Sequence, residues 1–206
     1  MKIPKSIYQQ PDVVVLSQFF LGKVVCSFQN GVLTAGKIVE TEAYCGATDK
    51  ACHAHFNRRT HRTAIMFAEG GVAYVYLCYG IHHLFNIVTN EADKADAVLV
   101  RALEPLEGIS MMQTRRKTTS IEKLTSGPGL LTQALGITTA HYGVDLQGDS
   151  IWIEDRGFIV PTNEIIASPR IGVAYAGEDA LLPWRFRIKN NQWTSKAEAN
   201  YDKKQG

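Results

Sequence analysis

The alternation of apolar and polar positions predicts β-strands along much of the chain. Residues 23–44 read KVVCSFQNGVLTAGKIVETEAY, two strand-like runs separated by Asn30-Gly31, a pair typical of a tight hairpin turn. Residues 70–90 are rich in Tyr, Val and Ile and predict two more strands with a turn near Gly80, and residues 96–105 predict another. Short strands and turns are expected in the remainder.

Helices are expected at only a few places. Residues 11–23 predict one, because Pro11 suits a first helical turn and Gly22 suits an end. Residues 105–117 predict a second, and the turn SGPG precedes a short third helix ending near Gly136. This order lacks the strict βαβ alternation of a doubly wound sheet. We predict the α+β class: residues 1–206 form a single mixed domain with a curved, largely antiparallel β-sheet core and peripheral helices, and a frayed tail at 197–206.

Composition narrows the class of protein. The chain has 206 residues, a net charge of +2 and 45% hydrophobic residues, which is ordinary for a globular protein. No apolar run approaches the ~20 residues that a membrane helix needs, and the first residues lack the order of a signal peptide. We therefore expect a cytoplasmic protein (nucleoid-associated if bacterial) with no membrane partner.

Two basic islands interrupt this balanced charge. They read HAHFNRRTHR at 53–62 and TRRK at 114–117. Solvated loop charge is the simplest interpretation of either island alone, but two islands flanking an aromatic-rich segment favour a polyanionic partner.

Four potential metal ligands lie close together in the sequence: Cys45, Cys52, His53 and His55. Their spacing matches no usual zinc finger or ribbon. A metal-dependent hydrolase is therefore one alternative, although we expect no metal and no cofactor.

The segment IVETEAYCG at 38–46 carries the first candidate for chemistry. In a half-buried strand, alternation places Ile38, Glu40, Glu42 and Tyr44 on one face. Solvated carboxylates are the simplest interpretation, whereas a carboxylate at the mouth of a pocket suits a general base. Arg101, which lies among aliphatic residues, needs a carboxylate partner if it is buried, and Glu42 is available.

Aromatic and amide side chains add to this set. Tyr74 and Tyr76 share one strand face, and Tyr79 directly precedes the turn residue Gly80. They suit either ordinary packing or base stacking, with Tyr79 as a wedge between bases. Asn86 lies in an apolar run, as a structural bridge or as a reader of a ligand. Taken together, these features describe an enzyme that flips a nucleotide out of DNA and attacks its sugar–base bond.

The chain contains four sequence blocks that are similar to those of a known protein family: IVETEAYCG, AYVYLCYGIHHLFNIV, VLVRALEPLEG and SGPGLLTQALGI. In this order they resemble the alkyladenine (3-methyladenine or methylpurine) DNA glycosylases, over about residues 18–193. The resemblance implies a base-excision-repair enzyme that acts on double-stranded DNA containing damaged purines. We expect it to be monofunctional, because a lyase step needs an amine and the pocket motifs hold no lysine. We expect a monomer, because damaged duplex DNA presents no symmetric site that would demand a dimer. The class includes 3-methyladenine, 7-methylguanine, hypoxanthine and ethenoadenine. The bond is cut by a Glu-activated water, and an abasic site remains.

The resemblance also implies residue roles. Glu42 corresponds to the general base, Arg101 to the residue that orients the water, and the Ile171 carbonyl to the remaining part of the water site. The base pocket comprises Tyr44, Ala51, His53, Tyr76 and Asn86. Tyr79 is the intercalating wedge, and the DNA phosphates are held by Arg58, Arg59, Arg62 and His82.

The sequence departs from the family pattern at several positions. RTHRT carries His61 and Thr63 where many relatives have Pro and Asn, and Leu130 follows SGPG where relatives often have lysine. Extra residues in TNEADKAD, at 89–96, predict a surface loop. The motifs that carry the pocket residues contain no lysine whose amine could serve a lyase reaction, although Lys50 lies in the nearby loop. Further alternatives are a non-catalytic damaged-DNA-binding module of the same fold and an RNA-directed relative acting in translation.

Overall fold

The computed structural model describes residues 1–198, so most of the predicted frayed tail lies outside the described residues. Strands form its largest part. They are β1 (Val24–Gln29), β2 (Val32–Tyr44), β3 (Ala73–Cys78), β4 (His82–Thr89), β5 (Asp96–Glu107), β6 (Ile151–Glu154), β7 (Ile165–Ser168) and β8 (Arg185–Ile188). The α-helices are α1 (Lys5–Tyr8), α2 (Val13–Phe19), α3 (Ile109–Arg116) and α4 (Pro128–Leu135). The 3-10 helices are His55–Asn57, Ala64–Phe67, Ile121–Lys123, Thr139–His141, Thr162–Glu164 and Ala174–Leu181.

The described strands form one antiparallel sheet around the long strand β2. The order is β3-β4-β5-β2-β1-β6, and β8 pairs with both β2 and β7. β2 pairs along one edge with β5, and along the other with β1 in its first half and with β8 at Glu40–Glu42. Strands on both sides therefore enclose the two glutamates. The predicted α+β class with a largely antiparallel sheet is confirmed.

The sheet separates the main core from a second apolar cluster. Along β3, Ala73 and Val75 belong to the main core, whereas Tyr74 and Tyr76 belong to the second cluster. Helices α2, α3 and α4 pack over the main core. Because successive side chains of a strand point to opposite faces, the tyrosines face away from these helices.

Both predicted hairpin turns are present, and at both of them the two central residues have positive φ. Asn30 and Gly31 have φ values of 53° and 76°, and Tyr79 and Gly80 have values of 50° and 73°. Positive φ at both central residues defines the turn type that matches strand twist. A tyrosine is rarely found in this region, so the Tyr79 backbone is strained.

The helices are shorter than predicted. α2 begins only after Asp12, whose side chain accepts hydrogen bonds from the backbone of Val14 and Val15, at 2.9 and 3.0 Å. The helix predicted at 105–117 begins at Ile109, because β5 continues to Glu107. α4 agrees with prediction, with Gly136 in the left-handed conformation directly after it.

The basic island at 114–117 has a structural role. Arg115 donates to the carbonyl of Ala134 at 3.0 Å, and Arg116 donates to Oε1 of Gln133 at 2.6 Å. Both arginines thus bind the end of α4, where cations are favoured by the helix dipole. The interpretation of this island as a polyanion surface does not apply to its two arginines.

The predicted surface loop within 89–96 is present, with residues 91–94 exposed. Over residues 1–198, no helix combines the length and apolar character that crossing a membrane would need.

Candidate active site

A cavity of about 560 Å³ lies on the face of the sheet that carries Tyr74 and Tyr76. This volume falls within the range of small-molecule sites. Most of the predicted site residues line it: Tyr44, Ala51, His53, Arg62, Tyr76, Tyr79, His82, Asn86, Arg101 and Ile171. Gly127, Pro128 and Gly129, at the start of α4, also line it.

Glu42 is fully buried beneath this cavity. Its Oε2 accepts a hydrogen bond from the Tyr44 hydroxyl at 2.8 Å, and its Oε1 accepts one from the Ile171 backbone N–H at 2.8 Å. Nη1 of Arg101 lies 3.2 Å from Oε2. All three partners line the cavity, so the carboxylate is fixed at its base.

Glu40 has different partners. Its Oε1 accepts from Nε of Arg101 at 2.9 Å and from Nε of Arg185 at 2.7 Å. Ser195 donates twice more, from its backbone N–H to Oε2 at 2.6 Å and from its hydroxyl to Oε1 at 2.9 Å. Glu40 and Glu42 are both fully buried and both absent from the cavity lining, but of the partners of Glu40 only Arg101 lines the cavity. Glu40 therefore supports the site from behind.

The pKa shifts in this network follow from its charges. Burial alone raises the pKa of Glu40, but Arg101 and Arg185 outweigh it, and the pKa lies below its ordinary value. Burial likewise opposes the charge of Arg101, yet Glu42 and Glu40 raise the Arg101 pKa above its ordinary value. The Glu40–Arg101 pair is therefore charged at neutral pH.

A pair of β-bulges aims Arg101 at both glutamates. Ile38 pairs with Leu103 and Glu40 with Ala102, and the register shifts again before Thr41. Val39 is thus the extra residue on β2, and Arg101, which lies between partners Ala102 and Val100, is the extra residue on β5. Bulges change the direction of a side chain. The prediction that Ile38 shares a face with Glu42 and Tyr44 is wrong, because the bulge at Val39 interrupts the alternation. Glu42 and Tyr44 do share a face and are hydrogen-bonded. The predicted half-buried strand is also wrong, because both faces of β2 are buried at 38–43.

Tyr44 is held by a cation on its ring. The Arg170 guanidinium lies 4.8 Å from the Tyr44 ring centre and 5.2 Å from that of Trp184. Arg170 also binds both carboxylate oxygens of Asp49, and both side chains are fully buried. This buried pair joins the loop after β2 to the segment that contains Ile171.

His53 and two tyrosines form the aromatic wall. His53 lies edge-on to Tyr76, with ring centres 4.7 Å apart, and its Nδ1 is 2.9 Å from the Tyr74 hydroxyl. Nε2 of His53 lies 3.3 Å from Nη2 of Arg62. An arginine can only donate, so Nε2 accepts and Nδ1 carries the proton. Burial, and then the charge of Arg62, lowers the pKa of His53 to about 4.

The remaining base-pocket residues are partly engaged. Asn86 is buried, and its amide donates to the Tyr74 carbonyl at 3.0 Å. The Ala51 N–H donates to Asp49 at 2.9 Å, and the Ala51 carbonyl accepts from the Tyr175 hydroxyl at 2.9 Å. A carbonyl has two lone pairs, so Ala51 can still accept a hydrogen bond from a ligand.

The predicted phosphate-binding residues divide into three environments. Arg58 is exposed and lies outside the cavity lining. Arg59 pairs with Asp93 of the 91–94 loop at 2.5 Å. Arg62 and His82 line the cavity and are also exposed.

The β3–β4 hairpin presents an apolar tip beside the cavity. Tyr79 is 87% exposed and Ile81 is 71% exposed. Two large apolar side chains are therefore exposed together at this tip, and Tyr79 also lines the cavity.

The four potential metal ligands do not form a ligand set. Nδ1 of His53 contacts Tyr74, and the Cys52 thiol lies 3.9 Å from the Ala95 carbonyl. Across residues 1–198, no three His, Cys, Asp or Glu side chains are close enough to hold a metal ion together.

The sequence of this chain matches that of a known protein family. A sequence model described as methylpurine-DNA glycosylase matches residues 6–192. The chain belongs to the methylpurine-DNA glycosylase family. The resemblance inferred from the four sequence blocks is confirmed, and with it the class of enzyme, a DNA glycosylase, which is a hydrolase.

Curated relatives of this glycosylase family cover nearly the whole chain. A protein of Alkaliphilus oremlandii is 43% identical over 204 residues, which is 95% of this chain and 100% of the relative. One from Clostridium perfringens is 41% identical, with the same coverage. One from Chlorobaculum tepidum is 45% identical over 96% of this chain and 92% of the relative. All three carry the provisional name 3-methyladenine DNA glycosylase.

Sequence reasoning missed the residues that support this glycosylase site. Arg185, Ser195 and the Arg170–Asp49 pair are distant in sequence from the strands that they support. The sequence offered no signal for Arg185, because the alternation in WRFRIKN predicts that Arg185 lies on a polar face opposite Phe186, whereas both side chains are buried.

Proposed function

We propose that this chain is a monofunctional DNA glycosylase that removes alkylated or deaminated purines from duplex DNA. The substrate class comprises 3-methyladenine, 7-methylguanine, hypoxanthine and ethenoadenine. The damaged nucleotide is flipped into the cavity, its N-glycosidic bond is hydrolysed, and an abasic site remains.

The arrangement around Glu42 carries this proposal. A buried carboxylate lies at the base of an aromatic cavity, and its three partners, Tyr44, Arg101 and Ile171, line that cavity. In the proposed reaction Glu42 takes a proton from water and stabilises the positive charge on the sugar as the base leaves. Arg101 and the Ile171 carbonyl orient the water.

Aromatic rings provide recognition of the base. Alkylation at purine N3 or N7 makes the base cationic and a good leaving group. The rings of Tyr44 and Tyr76 attract such a cation by about 0.5–2 kcal/mol. His53 forms a third wall, Asn86 discourages a guanine amino group, and the Ala51 backbone reads the purine edge.

The exposed residues around the cavity provide the DNA contacts. Tyr79 takes the place of the flipped nucleotide, which offsets part of the few kcal/mol that unstacking costs. Arg58, Arg59, Arg62 and His82 hold phosphates. For Arg59 this requires exchange of Asp93 for a phosphate oxygen.

A Schiff base with the abasic sugar would require an amine. The described residues that line the cavity include no lysine, and the Lys50 backbone is tied to Asp179 at 2.8 Å. This supports simple hydrolysis over a lyase step.

The test is base release from duplexes that each carry one lesion: 3-methyladenine, hypoxanthine or ethenoadenine. Wild type and Glu42→Gln are compared without added metal, and lesion binding is measured in parallel. We expect release by wild type, and binding without release by Glu42→Gln, because the amide cannot accept the proton.

Near-normal release by Glu42→Gln would place the general base elsewhere. Lesion binding with no release by wild type would favour the damage-binding module. Borohydride trapping of a covalent enzyme–DNA adduct would contradict the monofunctional assignment.

A further inference from the structure

Arg62 lies on the aromatic wall that the proposed function assigns to the base. Its guanidinium carbon is 4.6 Å from the ring centre of Tyr76, and Nη2 is 3.3 Å from Nε2 of His53. Arg62, Tyr76 and His53 all line the cavity. Without DNA, a planar cation therefore covers part of the surface on which a purine would stack.

Few contacts hold the Arg62 side chain over the cavity. Arg62 is exposed, and no carboxylate binds it among the described ion pairs. Its side-chain partners are the Tyr76 ring face, the neutral His53 imidazole and the Tyr74 hydroxyl. A purine can satisfy the ring face and the imidazole in its place. When the guanidinium leaves, Nε2 of His53 becomes a free acceptor for a purine N–H.

Once it has left the cavity, the Arg62 guanidinium can bind a DNA phosphate. A guanidinium binds phosphate oxygens in a bidentate, charge-assisted manner. Exchange of Tyr76 and His53 for a phosphate therefore couples DNA contact to opening of the cavity.

We propose that Arg62 is the gate of the base cavity: its guanidinium covers Tyr76 and His53 in the free protein and moves to a DNA phosphate when a base enters. This rests on the proposed function and deepens it. Arg62 is therefore a specificity-determining residue. A small free purine brings no phosphate to bind the guanidinium, so it must displace Arg62 from the rings without that compensation.

The proposed gate predicts that Arg62→Ala changes the affinities for a free base and for a lesion duplex in opposite directions. Binding of the free base ethenoadenine, followed by its fluorescence, should become about 3- to 10-fold tighter, because no cation competes for the ring. Binding to lesion duplex should become weaker, because a phosphate contact is lost. A residue with only a structural role would weaken both.

Two further variants separate the parts of the gate. Arg62→Lys keeps a phosphate-binding charge but loses the planar stack, so duplex affinity should stay near wild type while free-base binding tightens. Arg58→Ala, which changes an exposed arginine outside the cavity lining, should weaken duplex binding and leave free-base binding unchanged. Thermal unfolding shows that each variant is folded.

Excision is assayed on the same preparations. Weaker or unchanged ethenoadenine binding by folded Arg62→Ala overturns the gate, and if wild type still excises, the proposed function stands. Absence of excision by wild type together with tighter base binding by Arg62→Ala refutes the proposed function and supports the gate.

Discussion

At the scale of single residues, two glutamates two positions apart have separate tasks. Glu42 contacts three cavity-lining groups, whereas Glu40 accepts hydrogen bonds from two arginines and from Ser195. Arg101 touches both, so Glu40 fixes the arginine that holds Glu42. In the proposed function, Glu40 contributes position and Glu42 the chemistry.

Glu40→Gln is expected to destabilise the protein strongly. The change leaves Arg101 and Arg185 buried without their shared negative charge and brings an amide N–H towards four donors. Breaking a buried ion pair in this way costs about 3–5 kcal/mol, measured as the free energy of unfolding in urea.

Asp149→Asn is the control for this loss, since the Asp149 side chain is 97% exposed in its pair with Lys2. Exposed pairs contribute little, so its unfolding curve should superpose on that of wild type. Equal curves for Glu40→Gln and wild type would contradict the buried-pair interpretation.

The sequence was sufficient to predict Glu42 beside Arg101, because a buried arginine among aliphatic residues requires a carboxylate. It was not sufficient to assign Glu40, whose donor Ser195 lies 155 positions away. It also could not show the bulge at Arg101, which depends on the register of two strands rather than on either alone. Arg62 was predicted to face phosphate, and its contact with Tyr76 arises from the path of the 45–63 loop.

At the scale of elements, hairpins were more predictable than helix ends. The pair Asn30-Gly31 determines its turn locally. By contrast, β5 extends to Glu107 because it pairs with Ala35 of β2, and this long-range pairing delays α3 despite a helical sequence. The β3–β4 hairpin is different again, since it accepts a strained tyrosine at its tip.

Tyr79 variants should separate backbone strain from function. Tyr79→Gly removes the ring and the strain, whereas Tyr79→Ala removes the ring and keeps a Cβ at positive φ. We expect both to lose excision of well-paired lesions, while Tyr79→Gly is more stable than Tyr79→Ala by about 1 kcal/mol.

Excision on matched and mismatched duplexes, together with urea unfolding of both variants, provides the measurement. Unchanged kinetics on every duplex would refute the wedge role. Equal stability of the two variants would refute the strain.

At the scale of the whole molecule, the positions of the charged residues matter more than the net charge. The net charge is only +2, and the arginines at 115–116 serve the contact between α3 and α4. Arg62 is exposed at the cavity, and Arg58 is exposed in the same loop but outside the cavity lining.

Binding of lesion duplex should weaken as salt rises, because phosphate contacts release counterions. Arg58→Ala should reduce the slope of log K against log salt by about 1. Lys117→Gln removes an exposed charge beside α3 and should leave the slope unchanged. A slope that Arg58→Ala does not alter would show that Arg58 makes no phosphate contact.

The bonds from Ser195 to Glu40 also bear on the order in which the site is completed during synthesis. Translation produces Glu40, Glu42 and Arg101 well before Arg185 and Ser195. When the last cavity-lining position, Tyr175, has been made, Glu40 still lacks Arg185 and both Ser195 donors. Because those late residues hold Glu40, which binds Arg101, the network around Arg101 is completed only after β8 has paired with β2.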